Sequence, residues 1–271
     1  MDKKIKIQKR ISEMGFCSRR EAENLIKEKK VYVNNQIAVI GQRVFFDDEI
    51  KINNQILKNQ NQKFYILLNK PRNTICTLKD PQNRQTIYQW MKLEKFCFSI
   101  GRLDFNTTGV IIVTNDGDFA NLLAHPSSNI EREYIATLKK PLSEKELKFL
   151  NSNFVMLNNK FSKQTVKKID DFNYLVKLNE GRNHHVKNLF LLVDNLVLKL
   201  HRKRYGIWDD KNLKIGQFRY LDENEIHSYL KKNKIKPLKL GFDFLFINDF
   251  FDCFFNQIKI RFNFIICIVK I

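Results

Sequence analysis

Apolar residues in the first part of the chain recur at helical spacing. Ile7, Ile11 and Met14 are four and three residues apart, which places their side chains on one face of a short helix. Ser18 precedes Glu21 by three residues, the spacing of a capping box at the start of a second helix. The pattern therefore predicts two consecutive helices before residue 31.

From residue 31 apolar and polar positions alternate, which is the period of a half-buried strand. The predicted strands around 31–33 and 50–52 are each followed by an Asn-Asn turn, at 34–35 and 53–54. We therefore expect a compact module, a helix pair followed by small strands. It covers residues 1–58 and precedes a polar linker at 59–63.

Beyond the linker, strand patterns outnumber helical ones. Apolar runs predict strands at 64–68, 96–100, 110–114, 134–138, 174–178 and 196–200. Helical spacing lies between them, near 118–124, 143–150 and 184–193. Because helices and strands do not alternate strictly, we expect an α+β fold on a mixed or antiparallel sheet over residues 64–231, rather than a Rossmann fold.

The last segment, 232–271, has a different composition. Nine of the 23 phenylalanines follow Gly241. The longest apolar run in this segment, 264–269, is far shorter than the roughly 20 residues that a membrane-spanning helix needs. We describe it as a Phe-rich C-terminal extension, and its residues indicate no function.

The charge of the chain points to a polyanionic partner. Its 271 residues include 48 Lys and Arg against 29 Asp and Glu, a formal net charge of +19, and the whole excess lies before Gly241. Nucleic acid and anionic membrane surface are the two polyanions that match such an excess. Nucleic acid is favoured because the positive residues are not gathered opposite a strongly apolar helical face.

Cysteines and histidines give little support to a metal or disulfide framework. The five cysteines are widely spaced, with no Cys-x-x-Cys pair, and suit a reducing compartment. The adjacent His184 and His185 point to different faces of a helix, so we expect no metal site. The chain has no glycine-rich phosphate loop, and its first residues lack a signal-peptide core, so we expect a cytoplasmic protein without a nucleotide cofactor.

A polar segment with glycines lies between the strands predicted at 96–100 and 110–114. Its residues are turn formers, and composition alone favours a hairpin connection. The sequences Gly-Arg-Leu-Asp at 101–104 and Thr-Gly-Val-Ile at 108–111 in this segment resemble the catalytic motif of pseudouridine synthases, in the branch that acts on single sites of ribosomal RNA. Further similar motifs extend to about residue 230, at 68–71, 80–84, 131–134, 180–183 and 200–206.

The resemblance implies a cofactor-free conversion of uridine to pseudouridine. Asp104 would act on the anomeric carbon as the N1 glycosidic bond breaks, although attack on the base or removal of the C2′ proton stays open. Arg102 would hold the opened RNA, and Tyr134 would stack on the flipped base. Without the resemblance, Tyr134 would be interpreted as a buried strand aromatic.

One position departs from the family pattern. Shortly after the motif at 180–183, relatives carry an arginine that pairs with the catalytic carboxylate, whereas this chain has Lys187. A lysine retains the charge but not the planar, two-pronged donor, so we expect it to hold Asp104 ionised with looser orientation. The alternative is that the pairing falls to Arg182, which we otherwise assign to RNA binding.

The N-terminal segments 15–23 and 31–34 resemble the small RNA-binding module named after a small-subunit ribosomal protein. Arg19, Arg20, Lys27 and Lys30 lie on or beside its predicted helices. An ordinary solvated face would also explain them. With a net charge of +19, we assign them to contacts with RNA phosphates.

The substrate expected from the resemblance is ribosomal RNA, free or in a pre-ribosomal particle. The motifs at 76–77, 131–134 and 204–206 are most similar to those of family members that act on 23S RNA of the large subunit. The alternatives are a 16S enzyme of the same family and a non-catalytic RNA-binding assembly factor. We expect a monomer with no membrane partner.

Overall fold

The computed structural model of the protein describes residues 4–59 and 62–232. These residues belong to one compact unit, and the Phe-rich extension lies outside the described part from residue 233 onward. None of the helices in the described part is both long and apolar enough to cross a bilayer.

The N-terminal module contains two helices and six short strands. In chain order they are β1 (Ile5–Lys6), α1 (Ile7–Glu13), α2 (Arg19–Lys27), β2 (Val31–Val33), β3 (Gln36–Ile37), β4 (Arg43–Val44), β5 (Ile50–Ile52) and β6 (Gln55–Ile56). Strands β3, β2, β5 and β6 form an antiparallel sheet in that order, and β1 pairs with β4. Apolar side chains of both helices and of β2, β4 and β5 form one buried cluster.

The predicted turns and helix start of this module are formed by local chemistry. Both Asn-Asn pairs, 34–35 and 53–54, adopt positive φ at each residue, which suits tight hairpin turns. Ser18 accepts a hydrogen bond from the Glu21 amide at 3.2 Å. The Glu21 carboxylate pairs with Lys79 at 3.1 Å, so only half of the predicted capping box forms.

The larger domain begins at β7. Its elements are β7 (Tyr65–Lys70), α3 (Ile87–Met91), β8 (Phe98–Ser99), β9 (Thr108–Thr114), α4 (Gly117–Ala124), a 3₁₀ turn (Pro126–Ser128), β10 (Arg132–Leu138), α5 (Glu144–Leu150), β11 (Met156–Leu157), β12 (Lys160–Phe161), β13 (Gln164–Lys168), β14 (Asn173–Leu178), α6 (His185–Leu191), β15 (Val197–Tyr205), β16 (Trp208–Asp209), β17 (Phe218–Tyr220) and α7 (Glu223–Lys232).

A nine-stranded sheet forms the centre of this domain. Its order is β13-β14-β10-β15-β9-β7-β17, with β16 paired to β15 and β8 to β9. Only β9 and β15 run parallel; every other neighbouring pair is antiparallel. The predicted α+β fold on a mixed sheet is confirmed.

Helices cover both faces of the sheet. Alternate residues of β7, β9, β10 and β14 share one buried cluster with side chains of α3, α5 and α6. On the other face, Phe119 of α4 stacks edge-on against Tyr65, with ring centroids 4.8 Å apart, and Tyr229 of α7 lies 4.9 Å from Trp208. The sheet is therefore buried on both sides at its centre, which explains why β7 and β9 contain no exposed residue.

The sequence patterns missed several elements of this domain, namely β11, β12, β13, β16, β17, α3 and α7, and placed some ends differently. Helix α3 is not among the predicted helices, although Thr86 and Gln89 form a complete capping box at its start. Strand β15 runs to Tyr205, five residues past the predicted end at Leu200. Its charged residues stay in the sheet because Arg202 bonds to the Val110 carbonyl of β9 and Arg204 pairs with Glu131.

Candidate active site

Asp104 lies in the loop between β8 and β9. The loop turns back at this point, since the Thr107 amide donates to the Asp104 carbonyl at 3.0 Å. Leu103 and Thr107, on either side, are buried, whereas the Asp104 side chain is 33% exposed. The fold therefore anchors the loop on both sides of Asp104 and leaves its carboxylate open to a ligand.

A second loop, which follows β7, packs against the Asp104 loop. The Asn73 amide donates to the Phe105 carbonyl at 2.9 Å. The Cys76 thiol lies 3.5 Å from both the amide and the carbonyl of Leu103, and burial raises its pKa. The backbone on both sides of Asp104 is thus held by the first loop of the domain.

Lys70, the last residue of β7, is fully buried beside the Asp104 loop. Its ammonium donates to the carbonyls of Thr107 at 2.9 Å and Pro71 at 3.0 Å, with Phe105 at 3.5 Å. Burial lowers the pKa of Lys70 to about 8, while the nearby carboxylate of Asp104 acts in the opposite direction. Lys70 therefore fixes the loop through backbone carbonyls.

Lys187 of α6 pairs with Asp104. Its ammonium lies 2.5 Å from the Asp104 carboxylate, and both side chains are about a third exposed. His184, which precedes the helix with positive φ, places its ring 3.7 Å from the other carboxylate oxygen. The carboxylate thus faces a lysine and a histidine side chain from the same turn of chain.

Arg182 lies elsewhere. Its guanidinium donates to the carbonyls of Leu157, at 3.0 Å, Lys160, at 3.1 Å, and Phe161, and it also pairs with Glu180. It therefore clamps the β11–β12 hairpin and does not pair with Asp104.

Tyr134 lies in the sheet next to the Asp104 region. It is 9% exposed in β10, opposite Val176 of β14 and Arg202 of β15. It belongs to the same apolar cluster as Leu103 and Val186, the neighbours in sequence of Asp104 and Lys187. The three predicted catalytic residues, Asp104, Tyr134 and Lys187, are thus brought to one region of the domain.

The residues assigned to RNA contacts differ in their surroundings. Arg102, Arg19, Arg20 and Lys27 are exposed and make no ion pair among the residues that the structure describes. Lys30 is exposed but pairs with Glu28 at 2.6 Å. Arg19 borders a cleft between α1 and α4 that also contains Lys9 and Asp118, themselves paired at 3.2 Å.

Three residues that shape the site lie inside motifs at 68–71, 108–111 and 200–206, but the sequence alone assigned them no role. Gly109 has a φ of +115°, and an added Cβ would collide with the backbone of Arg202 in β15. The buried Arg202 guanidinium donates to the Val110 carbonyl at 2.7 Å. Gly109 and Arg202 thus allow close parallel contact of β9 and β15 directly after the Asp104 loop, and Lys70 holds that loop through its backbone carbonyls. The sequence signal that could have identified two of these three residues is a lysine and an arginine within strands that also contain apolar residues.

In chemical terms the arrangement is an accessible carboxylate, charge-paired with a lysine, on an anchored loop whose residue Leu103 shares an apolar cluster with a buried tyrosine. Arg84 contributes to the same anchoring, since it forms bidentate hydrogen bonds with Asp80 that lower the pKa of that carboxyl to about 2. Its guanidinium carbon also lies 5.9 Å from the centre of the Phe105 ring. The partly exposed Asp104 carboxylate can therefore act as a nucleophile or a base.

Comparison with known proteins places this geometry in a family. Residues 64–192 match the family described as RNA pseudouridylate synthase, and residues 5–50 match the S4 domain. An uncharacterized RNA pseudouridine synthase of Borreliella burgdorferi is 34% identical over 84% of this chain and 93% of that protein. The ribosomal large subunit pseudouridine synthase B of Bacillus subtilis is 32% identical over 82% of this chain and 93% of its own length.

Two further similarities agree with these. The dual-specificity RNA pseudouridine synthase RluF of Escherichia coli is 30% identical over 87% of this chain and 83% of that protein. A crystal structure of a pseudouridylate synthase superposes with a TM-score of 0.60 at 28% identity, covering 83% of this chain and 99% of that one. The two matched regions and the relatives that span most of the chain agree, and the chain belongs to the RNA pseudouridylate synthase family.

Proposed function

We propose that this enzyme converts a uridine of 23S ribosomal RNA to pseudouridine, with Asp104 as the catalytic residue. The observation that carries the proposal is the 2.5 Å pair between Asp104 and Lys187, on a loop that the buried residues Leu103 and Thr107 anchor on either side of the carboxylate. A relative of similar length is named a large subunit pseudouridine synthase, which favours the large-subunit RNA over the 16S alternative.

The reaction is an isomerisation within one nucleotide. The bond from N1 to C1′ breaks, the base turns, C5 bonds to C1′, and the C5 proton leaves while N1 gains one. Positive charge builds on the sugar as the first bond breaks, and a nearby carboxylate stabilises that charge or bonds to the carbon. We assign this role to Asp104, and the pair with Lys187 supports an orienting role for the lysine.

Tyr134 and Arg102 complete the proposed site. A base inside folded RNA must leave its stack before it can react, which costs a few kcal/mol. We assign Tyr134 to recover part of this cost, since stacking of an aromatic ring on a base contributes roughly 1 to 3 kcal/mol. The exposed Arg102, two residues before Asp104, is assigned to the phosphates of the opened RNA.

The N-terminal module supplies the proposed docking surface. Arg19, Arg20 and Lys27 are exposed on α2 without carboxylate partners in the described part of the chain, so their charge is available to RNA phosphates. Lys30 contributes less, because Glu28 already neutralises it. Binding is expected to weaken steeply with added salt, since phosphate contacts release counterions.

The domain limits, oligomeric state and location are part of the same proposal. Two separate buried clusters, one within 7–52 and one within 66–200, support a module at 1–58, a linker at 59–63, a catalytic domain at 64–231 and an extension at 232–271. Asp104, Tyr134 and Lys187 all come from one chain, which supports an active monomer. A ribosomal RNA substrate supports a cytoplasmic location.

The test is to map pseudouridine in 23S and 16S RNA by carbodiimide modification after reaction with the purified protein. Wild type is expected to modify 23S RNA, and Asp104→Asn, which keeps the shape of the side chain, is expected to make no product. Equal product from Asp104→Asn would remove Asp104 from the mechanism. Modification of 16S RNA alone would transfer the substrate assignment to the small subunit.

A further inference from the structure

The β11–β12 hairpin presents an apolar outer face to solvent. Val155 and Leu157 point inward and are buried. The alternate residues Phe154, Met156 and Phe161 are 81%, 46% and 63% exposed, and Met156 lies directly opposite Phe161 in the pair of strands. We call these three residues the outer face of the hairpin.

The exposure of this face is unusual within the molecule. Phe154 is the most exposed large apolar side chain among the described residues. Single exposed apolar residues are ordinary, but adjacent exposed aromatic and thioether side chains indicate a contact surface. The hairpin itself does not need them, because its stability comes from the inward pair and from its backbone contacts.

The flanks of the outer face are cationic. Lys163 is exposed two residues after Phe161 on the same face, and Lys160 is exposed one residue before Phe161, opposite Leu157 next to the turn. Neither forms an ion pair with any residue that the structure describes. The nearby carboxylate of Glu180 is already paired with Arg182 at 2.8 Å. Aromatic rings with unpaired lysines beside them are the combination that binds single-stranded nucleic acid, through base stacking and phosphate contacts.

The hairpin is fixed to the helix that carries Lys187. The Arg182 guanidinium donates to three carbonyls of the hairpin, and Ser162 shares a 2.7 Å hydrogen bond with the ring of His185. Burial lowers the pKa of His185 to about 4, so its ring is neutral at physiological pH. His185 begins α6, two residues before Lys187, so the outer face has a defined position relative to the Asp104 pair.

We propose that the outer face of the hairpin stacks an unpaired base of the RNA that flanks the target uridine, while Lys160 and Lys163 contact the adjoining phosphates. The proposal rests on the function proposed above. It extends the binding surface from the N-terminal module, where the charge is carried by α2, to the catalytic domain. A flat aromatic surface accepts any base, so this contact contributes affinity and orientation and reads no sequence.

The experiment compares the full-length protein with variants of the two phenylalanines. The double variant Phe154→Leu/Phe161→Leu keeps apolar side chains but removes the rings. Phe161→Trp retains an aromatic surface. Phe172→Leu is the matched control, since Phe172 is 46% exposed but lies beyond the far end of β13 from Phe161. Thermal melting confirms that each variant is folded.

Two readouts are measured: the dissociation constant for a short single-stranded RNA containing 2-aminopurine, and the KM for a 23S RNA fragment. The double leucine variant is expected to raise both by about tenfold, the equivalent of roughly 1.4 kcal/mol and of one lost stacked base. Phe161→Trp and Phe172→Leu are expected to retain the wild-type values.

Unchanged RNA affinity in the double leucine variant would overturn the proposal and leave a protein partner as the ligand of this face. An equal loss in Phe172→Leu would also overturn it, because the effect would then not depend on the hairpin. If wild type stacks 2-aminopurine through the hairpin but makes no pseudouridine, the proposed reaction fails while the stacking surface stands.

Discussion

Lys70 is the side chain whose removal tests the architecture of the site most directly. Its ammonium is fully buried and bonded to the carbonyls of Pro71 and Thr107, within 3.5 Å of that of Phe105. Burial lowers its pKa from 10.5 to about 8. Lys70→Met keeps most of the volume of the side chain and removes both the charge and the donor.

The sign of the pH effect follows from the direction of this change. Between about pH 8 and 10.5 the unfolded chain keeps a proton on Lys70 that the folded chain has released, so the folded state gains stability as pH rises through this window. Below about pH 8 both states are protonated and the full cost of the buried charge is present. The difference between the two pKa values corresponds to about 3 kcal/mol.

The assay is urea unfolding of wild type and Lys70→Met at intervals from neutral pH to above 10.5. The stability of wild type relative to the variant is expected to rise by about 3 kcal/mol over this range. Cys17 and Cys97, whose pKa values burial raises, titrate in both proteins, so their contribution cancels in the comparison. Parallel stability curves would refute the conclusion that a desolvated lysine supports the loop.

The same variant has a predicted effect on turnover. Without Lys70 the carbonyls of Phe105 and Thr107 lose their charged donor, at a cost of roughly 1 to 3 kcal/mol for buried groups left unpaired. Because these carbonyls are on either side of Asn106, two positions from Asp104, the orientation of the carboxylate is expected to loosen. Turnover near pH 7 should fall by about tenfold or more. Turnover equal to wild type would show that the loop holds its shape without the lysine.

Three other substitutions follow from the contacts of the site. Gly109→Ala should destabilise the fold by about 3 kcal/mol in urea unfolding, since its Cβ would lie 2.7 Å from the Arg202 carbonyl carbon at a φ of +115°. Gly41→Ala, also at positive φ but in open space, is the control, and an equal loss there would exclude the close approach as the cause. Arg182→Lys should cost about 1 to 2 kcal/mol by the same assay, because lysine cannot reach all three hairpin carbonyls; no change would mean that the clamp is dispensable. Lys187→Arg should preserve or raise turnover and Lys187→Met should lower it about a hundredfold, whereas a large loss in the arginine variant would mean that the Asp104 pair requires lysine geometry.

Local chemistry made much of the fold predictable. The Asn-Asn turns, the Ser18 cap of α2 and the helical spacing in α1 all depend on residues within one or two turns of each other, and each is found in the structure. Helix α3 was not predicted because its five residues are too few to show a periodic pattern, although the Thr86 capping box was present in the sequence.

Contacts between distant segments could not be predicted in the same way. The pair of Asp104 and Lys187 spans 83 positions, and the resemblance to known enzymes, not spacing, led to it. Arg182 was assigned to RNA because a charged residue in a family motif is ordinarily interpreted as exposed. In the structure its partners are backbone carbonyls of a hairpin some 20 to 25 positions earlier. Every residue has a backbone carbonyl, so the sequence does not show which ones a distant arginine will bind.

The net charge of +19 is likewise not interpretable from the sequence alone, because side chains of equal charge have different roles depending on their burial. Lys70 is sealed inside the fold and orders the backbone of a loop, whereas Lys187 is partly exposed and orients a carboxylate. Arg20 and Lys27 face solvent with no carboxylate partner in the described part of the chain and are free to meet phosphates. Screening by salt should therefore weaken RNA docking by the last group much more than the Lys70 contacts, since buried interactions are screened little. A salt titration that lowers RNA affinity while turnover at saturating RNA stays constant would separate the two kinds of charge.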